Sequence, residues 1–309
     1  TRWSCFAVAG LVAAVLAGCG GSDGAAGAPG APGAPGQPGQ PGKDANAVIS
    51  MASLTVDQMA ATEYKAEITG VTVSAAAGQP VVNFKVTDGF GKPIAGLGST
   101  SKSSTALVAS YPNLAFSIAK LVPYVPCTNY ANAQGLPAGC GTPSKWVSYI
   151  VTSVPTAAAP TTIAASKPST DSNGTLTDNL DGTYTYKFYR DITKAKDQLA
   201  ALTASGNNNP ADLGDVTFDP SLIHRVSLVV SGNVPGTGTN TANAVQVVAG
   251  VPMAKPVNVI YDFIPATGKA VAPTDAGQRL VVDKASCNEC HTKLGGIPGT
   301  ESAAFHGGS

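Results

Sequence analysis

Apolar and polar residues alternate at a period of two through several segments of the middle of the chain, the pattern of half-buried strands. Residues 81–87 alternate and run into Asp88-Gly89-Phe90-Gly91-Lys92-Pro93, a turn-rich connector. Leu114–Val122 and residues 146–152 are β-branched and aromatic runs bounded by Pro, Asn and Ser. Residues 175–190 read as a hairpin with Asp181-Gly182 at its tip and Tyr184, Tyr186 and Phe188 on one face. His224–Val230 repeats the alternation through Val226, Leu228 and Val230, and residues 244–249 and Val257–Ile264 complete the set. Only residues 191–205 have helical spacing, through Ile192, Ala195, Leu199 and Leu202. About seven to nine such strands predict a mainly β domain, an antiparallel sandwich or Greek-key barrel.

Composition agrees and narrows the function. The 309 residues carry only 12% charged side chains and a formal net charge of zero. Nucleic-acid binding needs a basic footprint, and this chain shows none. The middle of the chain resembles no phosphate loop, nucleophile elbow or zinc site.

The first forty residues read as an address. Arg2 precedes an apolar run over residues 5–16, followed by Leu16-Ala17-Gly18-Cys19. A short apolar segment behind a basic residue and ahead of small residues is a secretion signal, too short to span a membrane comfortably. The L-A-G-C ending is the bacterial lipoprotein cleavage pattern, with Cys19 expected to become the lipidated N-terminus. A plain signal peptide with an incidental Cys is the alternative. From Gly24 to Gly42 glycine then recurs every third residue, with Pro29, Pro32, Pro35, Pro38 and Pro41 ahead of successive glycines. This collagen-like run reads as a stiff spacer of roughly 65 Å at ~3.1 Å per residue. A triple helix is the alternative.

The six cysteines divide by role. Cys5 falls in the signal segment and Cys19 takes lipid. Cys127 and Cys140 flank a short Gly-, Asn- and Pro-containing loop, and in an exported protein read best as a disulfide. Closing a loop of this size contributes roughly 3 kcal/mol. Cys287-Asn288-Glu289-Cys290-His291 is a C-x-x-C-H haem attachment motif. Two thiols at this spacing can bond the two vinyl groups of one haem, and the adjacent imidazole reaches the iron. A thioredoxin-like pair wants a βαβ unit, and a zinc site wants a second ligand pair; the sequence offers neither. His291 is the expected proximal ligand. His306, fifteen residues on in Phe305-His306-Gly307-Gly308, is a candidate second ligand or an exposed loop histidine. Two imidazoles would saturate the iron and favour electron transfer. His224 reads as a strand residue facing solvent or packing against a loop, and not as a ligand.

These residues give the chain a family resemblance. It resembles the OmcA/MtrC family of bacterial outer-membrane multihaem (decahaem) c-type cytochromes. The matching phrases are Val86-Thr87-Asp88-Gly89 with Gly91-Lys92-Pro93, Leu180 to Phe188, Ile223-His224-Arg225-Val226, and Cys287 to His291 followed by His306-Gly307-Gly308. The resemblance implies a split β-barrel or Greek-key domain followed by a haem-packed domain that starts near Ser286. It implies haem c, with further haem motifs beyond Ser309, and His291 and His306 as proximal and distal ligands. It also implies electron passage to extracellular acceptors such as metal oxides or soluble shuttles, alongside other cytochromes or a porin-cytochrome conduit. The stretch from Gly295 to Gly299 departs from the family pattern, and so does the collagen-like tether.

The expected organisation is a lipoprotein signal over residues 1–18, a lipidated tether over 19–47, a β domain over 48–283 and the start of a cytochrome domain over 284–309. The leading expectation is a lipid-anchored electron-transfer protein of the outer-membrane surface. Beyond metal-reductase-like activity, nothing in the sequence marks an enzyme. A surface adhesive lipoprotein and a haem sensor or peroxidase-like enzyme are the competing readings.

Overall fold

β-Branched and aromatic residues at alternate positions build the long strands, and their apolar faces meet in one core. A computed structural model of the chain describes residues 47–74, 76–124, 144–204 and 208–272. In chain order the elements are β1 (Ile49–Ser50), α1 (Val56–Ala61), β2 (Tyr64–Val73), β3 (Pro80–Asp88), β4 (Ile94–Ala95) and β5 (Leu114–Val122). There follow β6 (Lys145–Ser148), β7 (Thr175–Asp178), β8 (Thr183–Lys187), α2 (Ala195–Ala200), β9 (His224–Val230), β10 (Val257–Ile264) and β11 (Lys269–Ala270).

Two antiparallel sheets carry the fold. One has the order β2-β3-β8-β7 and the other β11-β10-β9-β5-β6, while β1 and β4 form a small parallel pair. Among the described residues neither sheet closes on itself, so the domain is mainly β and is not a closed barrel. Val82, Phe84 and Val86 of β3 and Tyr184 and Tyr186 of β8 face Leu114, Phe116 and Ile118 of β5 and Val226, Leu228 and Val230 of β9, all buried. Phe116 stacks on Tyr186 at 4.0 Å between centroids and meets Phe84 edge-on at 5.6 Å. Aromatic pairs of this kind add about 1 kcal/mol each beyond burial. They lock the two sheets in register.

The hairpin of β7 and β8 forms as its sequence predicts, with Tyr184, Tyr186 and Phe188 all buried. At its tip Gly182 takes φ 87°, and a Cβ there would lie 2.6 Å from the Pro93 side chain. Glycine is therefore required on both counts. The helical reading of residues 191–205 contracts to α2 behind one 3-10 turn, Ile192–Lys194.

Three expectations are corrected. Residues 244–249 form no strand: Ala244 has φ 59°, and Val245, Val247 and Val248 are exposed. Amide side chains hold the surrounding loop: Asn113 donates to Ser231 and Asn233 carbonyls, and Asn240 donates to Asn113 Oδ1. Within the segment Val245 N–H donates to Asn243 Oδ1, Val245 O accepts from Thr241 Oγ1 and Val248 O accepts from Gly238 N–H, so these groups are met locally without a ladder. The run over 146–152 leaves the sheet after Ser148, although Tyr149, Ile150 and Val151 stay buried. Finally, α1 and the ten-residue β2 escaped the sequence reading. The helix is announced by a capping box, in which Thr55 Oγ1 accepts from Gln58 N–H and Gln58 Oε1 accepts from Thr55 N–H.

Candidate functional site

The residues chosen from the sequence for cofactor, lipid and disulfide chemistry all lie outside the described residues. They are Cys287, Cys290, His291, His306, Cys19, Cys127 and Cys140. The signal segment, the Gly-x-y tether and the proposed cytochrome segment from residue 284 lie outside them too. The described strands do fix where two of these segments join the domain. β5 ends at Val122 and β6 starts at Lys145, paired to each other, so residues 123–144 leave and re-enter the five-stranded sheet at one end. At the same end Phe263 pairs with both His224 and Ala270, and Val271 N–H donates to Asp262. The chain leading toward Cys287 therefore departs next to the His224 row.

That row carries the most unusual chemistry among the described residues. In β5 the inward-facing positions are Leu114, Phe116 and Ile118, and the next one in step is Lys120. In β9 they are Val230, Leu228 and Val226, and the next is His224, the register partner of Lys120. The period of two thus drives an ammonium and an imidazole into the inner face. Both are buried, His224 completely.

A loop between α2 and β9 covers them. Asp215 accepts from Thr217 and Asp219 from Ser221, each through backbone and hydroxyl, making two tight local turns. Lys120 Nζ donates to Thr217 O at 2.5 Å, and Leu121 N–H donates to Ile223 O at 2.8 Å. His224 Nδ1 lies 2.9 Å from Leu222 O. A carbonyl cannot donate, so Nδ1 carries the proton and Nε2 holds a lone pair. Tyr149 Oη lies 2.9 Å from Nε2 and must be the donor. The two rings are stacked at 5.5 Å and 7°, and Phe218 of the loop closes over both.

Burial sets the electrostatics. Loss of water holds the His224 imidazole down to about 4, against the Leu222 hydrogen bond and the Asp219 carboxylate, which both favour the cation. The Lys120 ammonium is likewise lowered by burial, with Asp215 and Asp219 pulling the other way. Its nearest carboxylate oxygen, on Asp215, is 4.0 Å distant. Burial raises the Tyr149 phenol well above its ordinary value. Asp215 and Asp219 are held below the usual carboxylate range by their Thr217 and Ser221 hydrogen bonds.

The expectation for His224 is thus half corrected. It packs against a loop, as one branch of that reading held, but it faces the core and not solvent. Lys120 and Tyr149 were missed. Lys120 had a visible signal, a charge at a core-parity position.

Two other polar features complete the survey. Asp171, fully buried, accepts from Tyr186 Oη and from the backbone and guanidinium of Arg190, whose Nη1 is 3.0 Å away. A surface groove of about 320 Å³ is lined by Ile49, Leu54, Phe90 and the Glu63–Lys255 ion pair. Its second carboxylate, Asp88, is engaged by Phe90 and Lys92 N–H in its own turn. Among the described residues no group of three or more His, Cys, Asp or Glu could hold a metal ion, and no helix is long and apolar enough to cross a membrane.

No family model and no curated protein matches the sequence. Among solved structures the chain is similar to the outer membrane decahaem cytochrome OmcA, at 19% identity and a TM-score of 0.45, covering 82% of this chain and 29% of that one. It is similar also to MtrC from Shewanella baltica OS185, at 21% identity and a TM-score of 0.41, covering 78% and 28%. The chain thus spans less than a third of the length of either structure.

Proposed function

We propose that this chain is the β-rich head of a lipid-anchored outer-membrane c-type cytochrome that passes electrons through covalently held haem to extracellular acceptors. The observation that carries this reading is Cys287-Asn288-Glu289-Cys290-His291, in a sequence that also holds an apolar run ending in Leu16-Ala17-Gly18-Cys19, which supports export and lipidation.

The donor set suits haem c. Cys287 and Cys290 supply two thiols three positions apart, and His291 supplies the imidazole beside them. His306 would supply a second imidazole in this reading, and two imidazoles would favour electron transfer over the binding of exogenous ligands. Haem supplies a one-electron couple between ferric and ferrous iron. The carboxylates of the surface groove are engaged, Glu63 by Lys255 and Asp88 by the N–H groups of its own turn, and the buried His224 is engaged on both ring nitrogens. The part of the β domain is to carry and orient the cytochrome segment, which joins beside the five-stranded sheet. Cys127 and Cys140 staple the loop at that end, and acceptors such as metal oxides or soluble shuttles meet the haem segment. Other cytochromes or a porin-type conduit would supply the electrons.

The test is covalent haem per polypeptide after expression with a cytochrome c maturation system. Haem that survives denaturing electrophoresis, and disappears in Cys287→Ala/Cys290→Ala, supports the reading. A wild-type chain without haem overturns it and leaves a tethered surface β domain.

A further inference from the structure

The Tyr149–His224 contact has the geometry of a redox site, and this inference goes beyond the haem reading without depending on it. We infer that Tyr149 and His224 form a proton-coupled redox pair, in which Tyr149 yields one electron to a high-potential metal-complex oxidant of the ruthenium(III) polypyridyl class and its phenolic proton passes to His224 Nε2. The Oη–H bond breaks and an Nε2–H bond forms. The oxidant gains one electron, Tyr149 becomes a neutral phenoxyl radical, and His224 becomes an imidazolium. Re-reduction returns the proton to Oη.

Four features support this assignment. The donor and acceptor are fixed by geometry: Nδ1–H is committed to Leu222 O, so the Nε2 lone pair faces the phenol at 2.9 Å. A phenol that loses an electron becomes a strong acid, and without a base it would leave a bare charge in a dry interior. His224 moves that charge onto a ring whose other N–H is already hydrogen-bonded, with the Asp219 carboxylate favouring the cation and Lys120 opposing it. Burial protects the product. Tyr149 is 2% exposed and His224 not at all, so solvent cannot quench the radical directly. A chain of ring contacts leads outward from the pair: His224 to Phe263 at 6.0 Å, then Phe263 to the half-buried Tyr261 at 6.2 Å.

The other buried tyrosines serve as internal controls. Tyr64 donates to Met59 O and Tyr184 to Ile94 O, and backbone carbonyls are too weakly basic to take a proton. Tyr186 donates to Asp171, but that carboxylate already accepts from the Arg190 guanidinium and from two backbone N–H groups.

The experiment is flash photo-oxidation of the full chain by ruthenium tris-bipyridine with a sacrificial electron acceptor, read by freeze-quench electron paramagnetic resonance. Because the oxidant is added, the outcome does not depend on whether haem is attached. The expected result is a neutral tyrosyl signal that is lost in Tyr149→Phe and kept in Tyr186→Phe. His224→Gln should slow radical formation about a hundredfold, the contribution of a positioned proton acceptor. Fluorotyrosine placed at residue 149 keeps the hydroxyl and should add fluorine hyperfine splitting, which assigns the radical even if Tyr149→Phe fails to fold. A signal without that splitting, or one lost in Tyr186→Phe, overturns the inference. So does a formation rate unchanged by His224→Gln.

Discussion

The core holds two polar clusters that solve the same problem in opposite ways. Around Asp171 the charges are kept and matched: the carboxylate meets the Arg190 guanidinium at 3.0 Å, and Tyr186 and two backbone N–H groups take up its remaining lone pairs. Around His224 the charge is given up. The imidazole is neutral, pinned between a carbonyl and a phenol, and Lys120 has one close acceptor and a carboxylate 4.0 Å away. A matched pair is held by the geometry of its partners, whereas a neutralised base responds to mild acid. The first cluster pins the 152–174 segment, through Arg190 and Thr152 O, to the four-stranded sheet. The second pins a covering loop to the end of the other sheet where two segments of interest depart.

The comparison can be broken most severely at Asp171. Asp171→Asn leaves Arg190 without its counter-charge and should cost about 3 kcal/mol in urea unfolding, since unpairing one member of a buried pair strands the other. An effect under about 1 kcal/mol would show the pair to be hydrated and the contrast false.

The acid response of His224 comes next. Its folded value of about 4 lies below the ordinary 6.5, so the unfolded chain takes up the proton first as pH falls. The stability it confers is complete above about pH 6.5 and is lost as pH falls toward 4. The total is on the order of 3 kcal/mol. Urea midpoints of wild type and His224→Gln, measured across this window, should converge toward the acid end. Parallel curves would place His224 in contact with solvent.

A smaller effect sharpens the contrast between the two phenols. Tyr186→Phe removes a hydrogen bond to a charged acceptor and should cost about 2 kcal/mol, against about 1 kcal/mol for Tyr149→Phe, whose acceptor is neutral. Equal losses in thermal unfolding would mean that the acceptors differ little in charge. The smallest change is expected from Lys120→Met, within about 1 kcal/mol, because shedding a poorly paired buried charge offsets the donor lost to Thr217 O. Its signature is local: faster amide exchange in the covering loop with the global midpoint held.

Much of the sheet architecture was legible because its strands place large side chains at strict alternation. β3, β5, β8 and β9 were readable from Val82, Phe84 and Val86, from Leu114, Phe116 and Ile118, from Tyr184 and Tyr186, and from Val226, Leu228 and Val230. β2 was not, because its inward positions, Tyr64, Ala66 and Ile68 and then Val71 and Val73, fall out of step across the register shift between Ile68 and Gly70. Residues 244–249 misled in the opposite direction: Val245, Val247 and Val248 suit a strand, but Val245 bonds Asn243 and Thr241 of its own turn and Val248 O accepts from Gly238 N–H. For the polar cluster, strand parity carries a signal that puts Lys120 and His224 on the inner face, against the reading of His224 as facing solvent. What could not be read locally is that residues 214–223 fold back over them, a contact made through Thr217, Phe218 and Leu222.

The β5–β9 register has a consequence for how this domain assembles. Ser117 and Ser227, paired across it by a 2.6 Å hydroxyl contact, are 110 residues apart in the chain. Joining them requires closing a long loop before any contact compensates the lost entropy, which places such a domain among folders on the millisecond-to-second scale. Lys120 and His224 belong to that same ladder, so neither can be dry until it has zipped. During synthesis His224 therefore emerges as an ordinary, water-exposed histidine, and becomes a neutral core residue only when the two distant strands meet.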